Sequence, residues 1–269
     1  MVCARAHDSF RQRKRAHVHG NLFRMGLIGR ALLLLSATAC GRVDFDPTFG
    51  STGDARDDDA PSADAQPSGL LLHFPSEADG LLRDHAAGHH DAACATTCPV
   101  SAPGRVGAAA ASFSGGACLE IADATELHPA AFTYAVWYRP DISSLATAFG
   151  RPLNGATAGT NTFEAFSDPT DVWKVAVNTM SVNVPLDHGV WHHLAGAFDG
   201  DTLTMYVDGV AQSTPRVVGP ASYGPDSLTI GCDVNSGVHS NSATGLVDDV
   251  RLYDHALSAA EMMLLVNQQ

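Results

Sequence analysis

The sequence predicts an all-β fold, a sandwich or barrel with one short helix at its C-terminal end. Three observations carry this prediction. Beyond Gly69 the chain is a succession of short apolar runs separated by turn residues, several with strict alternation, as in Leu203-Thr204-Met205-Tyr206-Val207. Asp199-Gly200 and Asp208-Gly209 end neighbouring runs, and Asp-Gly is a strong hairpin signal. Only Ser258 to Val266 has a helical pattern, with Ser258 placed to cap and Glu261 three residues on to complete a capping box.

Taken in order, the predicted strands are Leu70–Phe74, Ala110–Phe113, Cys118–Ile121, Phe132–Tyr138, Thr162–Phe166, Trp173–Val177, Trp191–Phe198, Thr202–Val207, Ser227–Gly231 and Thr244–Tyr253. Their even spacing and turn punctuation are those of a sandwich or barrel. No internal repeat of 20–50 residues is visible, so residues 69–269 read as one domain.

Composition narrows the function. The 269 residues are 45% hydrophobic, an ordinary share for a globular chain. A formal charge of −13 with only 16 Lys+Arg excludes the basic stripe of a nucleic-acid binder. It equally disfavours electrostatic adhesion to an anionic membrane.

The N-terminal segment sets the expected compartment. Residues 1–24 are polar and basic, with Arg11, Arg13, Lys14 and Arg15 clustered. Met25, a second possible start, leads into the apolar run Ala31 to Leu35 and then Ser36-Ala37-Thr38-Ala39-Cys40. A positive region, a short apolar core and small residues before a cut are the marks of a secretory signal, and the apolar run is too short to span a bilayer. Ala37, Thr38 and Ala39 before Cys40 resemble a bacterial lipobox. That resemblance implies that 1–39 is removed and that Cys40 carries a lipid anchor, giving an exported, membrane-anchored lipoprotein at the outer membrane or cell surface. Residues 40–68 are rich in Asp, Ala, Pro and Ser and include Asp57-Asp58-Asp59, too polar to offset their ordering entropy, so they read as a solvated tether.

In an oxidising compartment the remaining cysteines, Cys94, Cys98, Cys118 and Cys232, read as two disulfides. Four cysteines allow three pairings. The spacing of Cys94 and Cys98 suggests a tight loop closed on itself, with a cross-sheet bridge from Cys118 to Cys232 as its complement. A rival assignment has Cys94 and Cys98 holding zinc with His85, His89 and His90.

Four segments, in order, resemble a known family. Phe132-Thr133-Tyr134-Ala135-Val136-Trp137-Tyr138-Arg139-Pro140 is similar to its F-T-x-x-A-W-V-R-P strand. Residues 190–200, Val-Trp-His-His-Leu-Ala-Gly-Ala-Phe-Asp-Gly, followed by Leu203 to Gly209, resemble its W-H-H-V-A and L-x-L-Y-V-D-G hairpin. Residues 245–258 resemble G-x-I-D-E-V-R-I-Y-x-R-A-L-S, and Pro103 to Gly107 with Ala111-Ser112-Phe113 fits an early strand. The family is the laminin-G-like domain of the concanavalin A-like superfamily. The resemblance implies a two-sheet antiparallel jelly roll. It also implies a structural Ca²⁺ held by a loop matched here by Asp84 to Asp91 and by a strand carboxylate matched by Asp248, an oxygen-rich set of the kind Ca²⁺ prefers.

The remaining candidates are aromatic and acidic. Trp137 and Trp191 fall on predicted strands and are expected between the sheets. His192 and His193 are expected on opposite strand faces. Trp173, beside Asp168, Pro169 and Asp171, is the aromatic expected in a ligand groove. Retaining glycosidases need two carboxyl groups about 5–5.5 Å apart. No E-x-D-x-E triplet is present, and Asp248 and Asp249 are expected on opposite faces. The expectation is therefore a non-catalytic module for glycans, with protein interaction or adhesion as the alternative.

Overall fold

The computed structural model describes residues 66–77, 80–153, 160–212 and 214–268. The expectations for the signal segment, lipidated Cys40 and most of the tether lie outside these residues. Among the described residues, no helix is long and apolar enough to cross a membrane.

The strands, in chain order, are β1 (Leu70–Phe74), β2 (Ala92–Cys94), β3 (Val100–Pro103), β4 (Ala109–Phe113), β5 (Leu119–Ile121) and β6 (Phe132–Pro140). There follow β7 (Ala146–Pro152), β8 (Asn161–Ser167), β9 (Val172–Asn178), β10 (Met180–Pro185), β11 (His192–Phe198) and β12 (Thr202–Val207). The last are β13 (Val210–Ala211), β14 (Arg216–Val217), β15 (Leu228–Ile230), β16 (Asp233–Asn235), β17 (Val238–Ser240) and β18 (Gly245–Tyr253), before the helix α1 (Ala259–Val266). A nine-stranded sheet runs β13-β12-β11-β6-β18-β4-β3, with β1 on β18 and β14 on β12. A seven-stranded sheet runs β10-β9-β8-β7-β15-β5-β2, and β16 and β17 form a separate hairpin. All the strand pairs within these sheets are antiparallel.

Alternation explains the two layers. Along β6, Phe132, Tyr134, Val136 and Tyr138 point between the sheets, where they join the large apolar core with Phe149, Phe163, Trp173 and Phe198. The other β6 face carries Ala135, which with Ala195 and Ala197 makes a shallow surface against Leu257, Met262 and Leu265. Small residues there let α1 lie close to the sheet. The capping box forms as expected: Glu261 N donates to Ser258 Oγ, and Ser258 N donates to Glu261 Oε2.

The aromatic expectations need correction. Trp137 sits on the outer face of the nine-stranded sheet, 3% exposed, with the Arg105 guanidinium 4.4 Å from its ring centre. Trp191 stands just before β11 and is half-exposed. The place of Trp137 follows from register: it opposes His193 across β6 and β11, one residue out of phase with the inward-pointing Val136.

Both disulfides form, Cys94 to Cys98 and Cys118 to Cys232. The sulfurs of Cys94 and Cys98 are thereby removed from any zinc set. The second bond links the neighbouring ends of β5 and β15, so it staples two strands of one sheet rather than the two sheets.

Asp248 and Asp249 also differ from expectation. The register of β18 on β6 shifts between Asp248 and Arg251, and Asp249 takes the left-handed conformation at φ 47°. This bulge interrupts the alternation. Asp248 pairs with Trp137, while Asp249 reaches His73 and Arg251, so both carboxylates lie in the outer layer.

Candidate functional site

The loop matched to the family's calcium site is held by its own backbone. Asp84 is 3% exposed and accepts three main-chain hydrogen bonds, from His73 and Ala86 at Oδ1 and from His90 at Oδ2. Asp91 Oδ1 accepts from Asp84 N at 2.9 Å. Asp248, wholly buried, accepts from Arg105 and Val106 at Oδ2 and from Asp249 N at Oδ1, and burial pushes its pKa up to about 6. Ca²⁺ takes 6–8 oxygen ligands. Here four oxygens of Asp84 and Asp248 face amide hydrogens, which cannot turn away, and among the described residues no three His, Cys, Asp or Glu side chains converge on a metal position. The carboxylates of the matched loop and strand are thus engaged by main-chain amides. A hollow of about 360 Å³ beside this loop is lined by Arg83, Asp84, His85, His89 and Asp91, with no aliphatic wall.

Trp173 is fully buried in the core, between Tyr138 at 5.3 Å and His192 at 5.6 Å, and cannot be a ligand platform. The reason is again alternation: Trp173, Val175 and Val177 point inward and Lys174 outward. The turn that precedes Trp173 does line a cleft. It holds about 270 Å³ between Thr170, Asp171, Pro185, Leu186, Asp187 and His192.

Each wall has a local cause. Asp168 Oδ1 accepts from Thr170 N, Thr170 Oγ1 and Val172 N, and its Oδ2 meets Lys174 Nζ at 2.9 Å. These bonds hold its pKa far below the usual carboxylate range and fix the turn. Asp171 takes the left-handed conformation at φ 56°, and its carbonyl accepts from Leu186 N, joining the two halves of the cleft. His192 Nδ1 is 2.8 Å from Asp208 Oδ2. His192 and His193 do lie on opposite faces: His193 is wholly buried on the other side of β11 against Trp137, and burial pushes its pKa down to about 4.

A Ser-His-Asp cluster rims this cleft, but its connectivity is not that of a proton relay. Ser143 Oγ donates to Asp171 Oδ1 at 2.6 Å, and His188 Nδ1 faces both Ser143 Oγ at 3.1 Å and Asp171 Oδ1 at 3.2 Å. A relay needs the imidazole to touch acid and nucleophile through different nitrogens.

Sequence reading missed a second carboxyl group pair. Glu164 on β8, 8% exposed, accepts from Thr147 Oγ1 and from Asn161 Nδ2. Burial, then the neighbouring charge of Asp233, raise its pKa to about 7. Asp233 at the start of β16 is 3% exposed and is likewise raised by burial. The alternation of Phe163, Glu164 and Ala165 gives Glu164 its face. Nothing in the sequence links it to Asp233, 69 positions away. The cleft was equally hidden, since its walls come from the β8–β9 turn, the end of β10 with the loop after it, and the start of β11.

The comparisons agree with this architecture. A family model described as the concanavalin A-like lectin/glucanases superfamily matches residues 113–263, more than half of the chain. Domain 4 of AbnA, a GH43 extracellular arabinanase from Geobacillus stearothermophilus solved with arabinotriose, is similar with a TM-score of 0.59 and 17% identity, over 74% of this chain and 98% of that one. The binding domain of Paraclostridial Mosquitocidal Protein 1 is similar with a TM-score of 0.57 and 12% identity, over 74% and 52%. The binding domain of botulinum neurotoxin DC, in complex with rat synaptotagmin II, gives 0.55 and 9%, over 74% and 51%. The matched region thus spans about half the length of the two toxin domains. No curated protein sequence matches the chain. With two antiparallel sheets, one short helix and a family match over residues 113–263, the chain belongs to the concanavalin A-like lectin/glucanases superfamily.

Proposed function

We propose that this chain is an exported lipoprotein, anchored through Cys40, whose domain binds glycans without catalysis at the cleft between Thr170 and His192. One observation carries the glycan reading. The cleft is lined by the carboxylates of Asp171 and Asp187 and the imidazole of His192 together with the aliphatic side chains of Pro185 and Leu186. Sugar rings present hydroxyls at their edges and C–H groups on their faces, and such a site serves both. The arabinotriose held by domain 4 of AbnA is in keeping with this reading.

The non-catalytic part rests on the carboxyl groups. Glu164 and Asp233 lie buried with their oxygens hydrogen-bonded, as does Asp248, and Asp249 is buried with Oδ1 against His73 and Arg251. A general acid must reach the glycosidic oxygen. A second reading, a protein-binding surface, is favoured by the exposed Ile142 and Val190 near the cleft, 50% and 47% exposed.

A glycan array probed with the full chain, and with Asp171→Ala beside it, tests the proposal. Retention of a defined glycan that the variant loses is the expected outcome. Failure to retain any glycan sinks it in favour of the protein-binding reading.

A further inference from the structure

We infer that the cleft prefers sugars bearing a free ammonium group, accepts neutral ones more weakly and excludes acidic ones; this rests on the cleft being the glycan site. The inference comes from counting what each side chain still has to offer.

Thr170 spends its hydroxyl hydrogen on Asp168 Oδ1, at 2.6 Å, which leaves only lone pairs for a ligand. Asp171 takes the Ser143 hydroxyl at Oδ1, which leaves Oδ2 as an acceptor. Asp187 is an exposed carboxylate. His192 holds Nδ1 2.8 Å from Asp208 Oδ2, and with its hydrogen on that nitrogen the imidazole offers a lone pair at Nε2. Pro185 and Leu186 add no polar side-chain atom. The side chains that line the cleft are therefore acceptors facing a ligand that must bring the donors.

Charge points the same way. The lining includes two carboxylates and no Lys or Arg. Two cations of this end are already engaged: Lys174 with Asp168 at 2.9 Å, and Arg139 with Asp141 at 3.3 Å. A uronate, sialate or sulfate placed in the cleft would meet like charge and surplus acceptors. An ammonium group would meet opposite charge and could donate three hydrogen bonds.

The test uses the full chain and three oligosaccharides of equal length: glucosamine, N-acetylglucosamine and galacturonate. Calorimetric titration at low ionic strength is expected to rank them in that order, with about two- to fivefold between the first two, the scale of an exposed ion pair. Asp171→Asn with Asp187→Asn should abolish the difference between the first two oligomers; Asn tolerates the left-handed φ at 171. Equal or tighter binding of galacturonate overturns the inference, and so does an ammonium preference that survives both substitutions. A neutral glycan bound with no charge ranking overturns it while leaving the glycan reading in place. Absence of binding to every sugar, on the array as well, overturns both.

Discussion

Tyr134 lies across Gly196 in the neighbouring strand so closely that a Cβ on Gly196 would sit 2.5 Å from the ring. The same tyrosine reaches through the core to the opposite sheet, where its hydroxyl donates to the Ala176 carbonyl at 2.8 Å. One side chain thus sets both the strand contact beneath it and the separation of the layers.

Gly196→Ala should therefore displace the Tyr134 ring and destabilise the domain by roughly 1–3 kcal/mol, the usual cost of overpacking. Tyr134→Phe keeps the ring and loses the hydroxyl bond, with an expected cost of about 1 kcal/mol. Urea denaturation of both variants measures this. A neutral Gly196→Ala would mean that the ring is free to move.

Two buried groups give opposing pH dependences. Glu164 rises from 4.5 unfolded to about 7 folded, so the folded state holds its proton longer and loses stability as pH climbs from about 4.5 to 7. His193 falls from 6.5 to about 4, so its contribution is complete above 6.5 and is lost as pH drops towards 4. Each effect is on the order of 3 kcal/mol, and over their common window they offset. Relative to the native sequence, Glu164→Gln should gain stability as pH rises through this range, and His193→Gln should gain it as pH falls. Denaturation at closely spaced pH values tests the pair, and parallel curves for both variants would refute it.

The calcium match has a direct thermal test. Because Asp84 and Asp248 already accept amide hydrogens, melting temperature should be the same in millimolar Ca²⁺ and in EDTA. Asp84→Ala should instead cost a few kcal/mol in both conditions, by taking the acceptor from one buried and two half-buried amides. A rise of several degrees with Ca²⁺ that vanishes in Asp84→Ala would restore the ion to this loop.

The two disulfides should differ in weight. Cys118 and Cys232 close 114 residues, Cys94 and Cys98 only 4. Chain entropy assigns roughly 5 kcal/mol to the first and roughly 2 kcal/mol to the second. Paired Cys→Ala variants, compared by denaturation, should keep that order.

Much of the fold was legible because it is written in alternation and turns. The runs at Leu70–Phe74 and Thr202–Val207 are strands with the predicted limits, and Asp199-Gly200 joins β11 to β12. β7 escaped notice because Gly150 and Pro152 disguise it, yet it is buried along its whole length by pairing with β8. Trp173 and Trp137 show the limit of the method for sites. Alternation assigns a side chain to a face, but which face becomes the core depends on the partner sheet and on α1. The bulge at Asp249 marks a second limit, because its left-handed turn has no glycine to signal it.

The pairing of β1 with β18 fixes how the domain is presented. Leu70 sits beside Tyr253, which sits beside Thr133 near the start of β6, whereas His192 of the cleft sits beside Tyr138 near its other end. The five steps from Thr133 to Tyr138 span roughly 17 Å along the strand. Incoming and outgoing chain share one pole of the sandwich, and the cleft occupies the other. A ligand in the cleft therefore binds about a strand's length away from Leu70 and Tyr253.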